Sequence, residues 1–140
     1  MKFEKYSKIG SKPPHYIEIK ESTIPNAGKG AFATIDIPIH TTIGEYLGKN
    51  YIGNDMENAH GAYLFSVRVK DKEIKIIDGK SKTLSSWVRF VNSPLKFEDG
   101  NAHFYQYNQR IFIKTRKPIK KGEEIFAYYG DEYVDEKFKK

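Results

Sequence analysis

The chain is expected to fold as a mostly β, sheet-rich single domain with one or two short helices. Three observations predict this. Apolar and polar residues alternate over short runs, as in residues 16–20 and 62–69. Clusters of Gly, Pro, Asn and Asp punctuate those runs. The 140 residues show no internal repeat, low-complexity tract or composition shift that would mark a domain boundary, and they are enough for one compact core.

Taken in order, residues 1–14 end in Ser11-Lys12-Pro13-Pro14 and read as a loosely held, flexible arm. Residues 16–20 alternate and predict a strand. Residues 25–30 form a turn cluster. Residues 31–37 and 43–51 are rich in β-forming side chains, with Pro38 between them. Residues 54–60 fit a short helical turn. Residues 62–69 and 74–77 predict a hairpin across Lys70-Asp71-Lys72. Residues 81–91 carry helical spacing through Leu84, Trp87, Val88 and Val91. Residues 104–107 and 111–114 predict a second hairpin across Asn108-Gln109, and residues 124–128 a last short strand. The segment 131–140 is charged and reads as a helical tail.

Composition narrows the function classes. There is no cysteine, so disulfides and thiolate zinc sites are excluded. His15, His40, His60 and His103 have no paired ligand spacing, so no metal site is predicted. No apolar run is long enough to span a bilayer, and residues 1–11 lack an apolar signal-peptide centre, so a soluble intracellular protein is expected, nuclear or cytoplasmic. The net charge of +6 leaves direct nucleic-acid binding open without predicting it, and homodimerisation is left open as well. The densest basic run, Lys114 to Lys117 with Lys120 and Lys121, reads as strand ends around a turn. Glu123, Glu124, Asp131, Glu132, Asp135 and Glu136 cluster late and are candidates for an acidic face. With 10 Tyr and 9 Phe, part of the aromatic surface is available to line a pocket.

Gly28-Lys29-Gly30-Ala31-Phe32-Ala33 literally fits a dinucleotide-binding fingerprint. That motif must open a helix, yet Ile35, Ile37, Ile39, Thr41 and Thr42 follow with Pro38 among them. The better reading is a turn whose glycines let the backbone approach a ligand.

Four motifs in one order and spacing give the chain its resemblance. They are Gly28-Lys29-Gly30, then Glu45-Tyr46-Leu47-Gly48, then Arg89-Phe90-Val91-Asn92, and then residues 118–130 with Gly122-Glu123-Glu124-Ile125 and Tyr129-Gly130. Across roughly residues 16–133 the chain resembles the SET-domain protein-lysine methyltransferases, and without cysteine it is similar to the small stand-alone, viral-type members. The resemblance implies a SET-domain β-fold of several small sheets, short helices and a C-terminal pseudoknot. It divides the chain into an arm (1–14), a SET domain (15–134) and a charged tail (135–140). It implies an S-adenosyl-L-methionine-dependent protein-lysine N-methyltransferase.

By the same resemblance, Gly28, Lys29, Gly30, Tyr63, Arg89, Asn92, Ser93 and Tyr129 bind the cofactor. Tyr129 is the catalytic residue together with Tyr46. Tyr46, Phe104, Ala127 and Tyr129 line the channel for the substrate lysine. Departures are visible. Ser93 stands where the family has His, Tyr128 where it often has Asp, and within Asp99-Gly100-Asn101-Ala102 only Asn101 matches the usual Pro-Asn. Tyr133 or Phe138 is a candidate to cover the cofactor in place of a cysteine-zinc module.

The implied reaction is direct attack of a neutral lysine amine on a sulfonium methyl. Free lysine has a pKa of about 10.4, so a dry channel must favour the neutral form. The implied partner is a protein with a basic, lysine-containing segment, histone tails first. Product number follows from space around the amine. Ala127 and Phe104 carry no hydroxyl, so di- or trimethylation is expected; Tyr105, adjacent to Phe104, is the competing occupant. The alternative is a degenerate SET-like module that binds chromatin or nucleic acid without turnover.

Overall fold

A computed structural model describes residues 3, 7–10, 12–71 and 73–128. Tyr129 and the segment 130–140 lie outside the described residues.

The expected mostly β architecture is what the chain adopts. Among the described residues, nine strands are distributed over three small sheets: β1 (Ile17–Glu21), β2 (Lys29–Ala33), β3 (Thr42–Tyr46), β4 (Lys49–Ile52), β5 (Leu64–Lys70), β6 (Glu73–Asp78), β7 (Ala102–Tyr107), β8 (Arg110–Thr115) and β9 (Ala127–Tyr128). β1 pairs with β2; β3, β8, β7 and β9 form the second sheet in that order; β4, β6 and β5 form the third. Strand order was not legible in the sequence, since neighbours such as β3 and β8 lie far apart along the chain.

Several boundaries differ from expectation, each for a local reason. Residues 43–51 were expected as one β-rich stretch. The chain instead breaks at Leu47 and Gly48, and β3 and β4 enter different sheets. The helical spacing of residues 81–91 yields only a 3-10 turn at Trp87–Phe90. Ser86 holds the backbone extended there, because its hydroxyl donates to the Glu45 carbonyl at 2.6 Å. Trp87, Val88 and Val91 are nonetheless buried as their spacing required, while Leu84 is exposed. Gly53–Asn58 forms the expected short turn as a 3-10 helix, and an unpredicted one spans Phe97–Asp99. Residues 31–37 contribute a strand only to Ala33, beyond which Ile37 makes an isolated bridge to Ile119.

The β7–β8 hairpin turns at Asn108 and Gln109, which both adopt left-handed backbone (φ 47° and 65°). That is the pattern of a two-residue turn whose twist matches its strands. The described part of the expected arm is tied down. Phe3 meets Tyr16 edge to face at 5.0 Å, and the Ser7 hydroxyl accepts the Glu45 amide at 2.6 Å. One core joins the sheets, with Trp87, Tyr16, Tyr46, Ile37, Ile43 and Ile113 among its largest fully buried side chains. The second and third sheets are clamped together at the surface: the Gln106 amide accepts from Arg68 N at 3.0 Å and donates to Arg68 O at 2.6 Å.

The last described segment positions the site. Residues 122–125 run beside the free edge of β2, with Ala33 N donating to Glu123 O (2.9 Å) and Ile125 N to Ala31 O (2.8 Å). The chain then turns to the other side, where Ala127 N donates to Asn92 O (3.0 Å) and β9 pairs parallel to β7. Of the expected strand over residues 124–128, only Ala127–Tyr128 is a strand, because the segment divides its bonds between two neighbours.

Candidate active site

A cavity of about 710 Å³ opens between the loop at residues 24–29, the pair Ala62 and Tyr63, the segment 89–95, Asp99 and Phe126. That volume lies within the range of small-molecule clefts. Its lining follows from the fold. Gly28 ends the loop in left-handed backbone (φ 78°), a conformation open to glycine without strain, and delivers the chain into β2. The Ser86-capped 3-10 turn presents Arg89 and Phe90, and the extended residues Val91 to Leu95 follow.

Six of the residues expected to bind the cofactor line this cavity: Gly28, Lys29, Tyr63, Arg89, Asn92 and Ser93. Gly30 sits one residue behind the wall, buried against the Glu124 carboxylate. Tyr129 lies outside the described residues. The Arg89 guanidinium donates to the carbonyls of Gly79 (2.8 Å) and Lys80 (3.1 Å) and lies 4.8 Å from the Tyr63 ring centroid. It therefore holds the end of β6 and the Tyr63 ring in place besides lining the cavity. Asn92 donates to the Lys29 carbonyl at 3.0 Å and so closes one side of the cavity against the other. The Ser93 hydroxyl turns to the Pro94 carbonyl at 3.2 Å.

The expected channel residues form a neighbouring aromatic group. The Tyr46 ring is 4.8 Å from Phe65 and 6.1 Å from Phe104, and Phe65 and Phe104 are 4.7 Å apart. Tyr46 is 2 % exposed, and its hydroxyl donates to the Tyr63 carbonyl at 2.6 Å. Ala127 is fully buried and faces Ala102 in the β7–β9 pairing. Tyr105 occupies the other face of β7. Its hydroxyl is 2.9 Å from that of Thr42, and its ring lies 5.6 Å from Phe112. Strand alternation thus gives the Tyr46 side to Phe104 and not to Tyr105.

Other placements were not foreseen. Ile24, Pro25, Asn26, Pro94, Leu95, Asp99 and Phe126 also line the cavity. The turn cluster at residues 25–30 was visible as a turn, but nothing in it announced a cavity wall. Leu95, 88 % exposed on the rim, is the signal that was available: a lone leucine three residues past Asn92 in a polar segment. Glu124 was a candidate for an acidic surface, but it is buried and bonded within the fold, so it takes no part in such a face. Among the described residues no group of His, Asp and Glu could hold a metal ion, and no helix is long and apolar enough to cross a membrane.

Comparison with known proteins defines the class. Residues 17–139 match the family model described as PR domain zinc finger protein 2, PR domain. The chain belongs to this PR-domain family, a branch of the SET-domain protein-lysine methyltransferases. It is 32 % identical to the histone-lysine N-methyltransferase set-17 of Caenorhabditis elegans, over 88 % of this chain and 44 % of that protein. It is 34 % identical to the histone-lysine N-methyltransferase PRDM7 of Homo sapiens, over 88 % of this chain and 25 % of that protein. The chain thus spans less than half the length of these curated relatives. The solved methyltransferase domain of human PR domain-containing protein 2 has the same fold, with a TM-score of 0.72 at 24 % identity, covering 86 % of this chain and 82 % of that one. The family match replaces the narrower likeness to small viral-type enzymes with membership of the PR-domain family.

Proposed function

We propose that the chain is an S-adenosyl-L-methionine-dependent protein-lysine N-methyltransferase acting on a histone or another basic, lysine-containing segment. One observation carries the reading: six residues expected at the cofactor from separate parts of the sequence converge on one cavity, and that cavity adjoins the buried aromatic group of Tyr46, Phe65 and Phe104.

The residues fit the cofactor. The cavity is lined by apolar groups of Ile24, Pro25, Ala27 and Phe90, together with residues 28–29 and 92–93. Bound there, S-adenosyl-L-methionine supplies an electrophilic methyl group. Tyr46, Phe65 and Phe104 would then serve as a desolvating channel: exclusion of water disfavours an ammonium and favours the neutral, nucleophilic amine. Tyr129, two residues beyond the buried Ala127, is assigned the catalytic position. A tyrosine hydroxyl at that position could accept weak C–H···O contacts from a cationic methyl, and a narrow channel would favour alignment of the amine with it.

Titration calorimetry with S-adenosylhomocysteine tests the cofactor half of this reading and should show one site per chain. The absence of any heat or thermal shift at millimolar ligand would remove it.

A further inference from the structure

Glu124 is 5 % exposed, yet among the described residues it pairs with no cation. Its two oxygens instead accept four hydrogen bonds. Oε1 takes the Thr23 amide at 2.8 Å and the Thr23 hydroxyl at 2.6 Å. Oε2 takes the Ser22 hydroxyl at 2.7 Å and Asn92 Nδ2 at 3.2 Å. A carboxylate has about four acceptor sites, so this one is filled by neutral donors from two separate segments.

Both segments belong to the cavity. Ser22 and Thr23 form the base of the loop whose residues 24–29 make one complete wall. The loop is closed at that base, with Ser22 N donating to Gly28 O at 2.8 Å and Ile24 N to the Ser22 hydroxyl at 3.0 Å. Asn92 lies on the opposite wall and also bonds Lys29 O. Gly30 leaves room for the arrangement, because a Cβ there would run into Glu124 Oε2. The main chain of Glu124 is fixed too: its carbonyl accepts Asn101 Nδ2 at 2.9 Å, and Asn101 Oδ1 accepts Phe126 N at 2.8 Å. Phe126 leads directly to Ala127 of the expected channel.

We infer that Glu124 is the positioning residue of this site, setting the 22–29 wall against Asn92 and tying the cofactor cavity to the segment that carries Ala127. The inference deepens the methyltransferase reading and rests on it for the ligand. Glu124 touches no reacting atom; it acts through Ser22, Thr23 and Asn92.

Glu124→Gln tests this at nearly constant shape. One oxygen becomes an amino group, so the bond it accepted from the Thr23 amide or from Asn92 Nδ2 is lost, whereas the hydroxyl beside it can turn to accept. Amide hydrogen exchange of the ligand-free protein should accelerate at residues 22–29 while protection in the β7–β8 hairpin is unchanged. Affinity for S-adenosylhomocysteine should fall by about tenfold, the loss expected from weakened charge-assisted bonds. KM for the cofactor should rise more than kcat falls. Thr23→Ala, at an exposed position, removes one donor without touching the core and should show the same pattern in weaker form; it decides the matter if Glu124→Gln does not fold. Unchanged exchange at residues 22–29 in whichever of the two variants folds overturns the positioning role, and so does unchanged ligand affinity. A wild-type protein that binds no S-adenosylhomocysteine overturns the methyltransferase reading instead, and the exchange measurement then still decides what Glu124 does.

Discussion

The Tyr46 hydroxyl donates to the main-chain carbonyl of Tyr63 at 2.6 Å, so a hydrogen bond ties the buried aromatic group to the wall of the cavity. The same carbonyl also accepts the Gly79 amide at 2.9 Å. Tyr46→Phe keeps the ring and leaves that carbonyl one partner. It should cost about 1 kcal/mol of stability and should lower methyl transfer by a larger factor than it lowers cofactor affinity. Urea denaturation and initial rates on the same preparation check this. Unchanged rates would place Tyr46 in the core alone.

Tyr129→Phe deletes one hydroxyl at the position assigned to catalysis. Methyl transfer should drop by two orders of magnitude or more, with thermal stability and S-adenosylhomocysteine affinity close to wild type. Rates within a few-fold of wild type would move the catalytic role elsewhere.

Asn92→Ala should act differently, because Asn92 bridges the two walls through Lys29 and Glu124. Both bonds vanish, and Glu124 loses one of its four donors. Cofactor affinity should fall, together with about 1–2 kcal/mol of stability. Calorimetry and denaturant melts measure the two effects separately, and a change confined to kcat would contradict the bridging role.

Product number tests the channel. Phe104 faces Tyr46 and carries no hydroxyl, while the Tyr105 hydroxyl is held by Thr42 on the other face of β7. Di- or trimethyl product is therefore expected under exhaustive turnover. Phe104→Tyr should shift the product toward monomethyl, and Tyr105→Phe should leave it unchanged. Mass spectrometry of the peptide product reads both outcomes.

His103 gives a pH dependence with a defined sign. Burial first, then Lys114, Arg116 and His40, lower its pKa below the ordinary 6.5. The unfolded chain therefore binds this proton more readily than the folded one. The contribution to stability is complete above pH 6.5 and is lost as the pH falls through the lower folded value. His103→Gln should flatten the stability profile on the acid side of pH 6.5, as followed by denaturant midpoints. An equal acid-side slope in wild type and variant would mean that His103 titrates normally.

Much of this was legible in local sequence, and what was not had a common cause. Alternation at residues 62–69 located β5 because that strand has one buried face, seen in Phe65 and Val67. β2 shows no alternation: Gly30, Ala31, Phe32 and Ala33 are all buried, because residues 122–125 cover the edge that β1 leaves open. That pairing depends on a segment some ninety residues away, which no periodicity reveals. The helical spacing at residues 81–91 identified Trp87, Val88 and Val91 as core positions and missed at Leu84, and one tertiary bond from Ser86 to Glu45 decided the backbone. Glu124 was misjudged for the same reason. A carboxylate beside Glu123 in a charged stretch reads as surface until the donors of Ser22, Thr23 and Asn92 are brought to it.

The most direct test of the central claim is methyl transfer from labelled S-adenosyl-L-methionine to core histones, with wild type and Tyr129→Phe run side by side. Label should accumulate on histone lysine with the wild type and fall to near background with the variant. Saturable cofactor binding by the wild type without label transfer to histones or to a cell extract would contradict a methyltransferase and leave a binding module in its place.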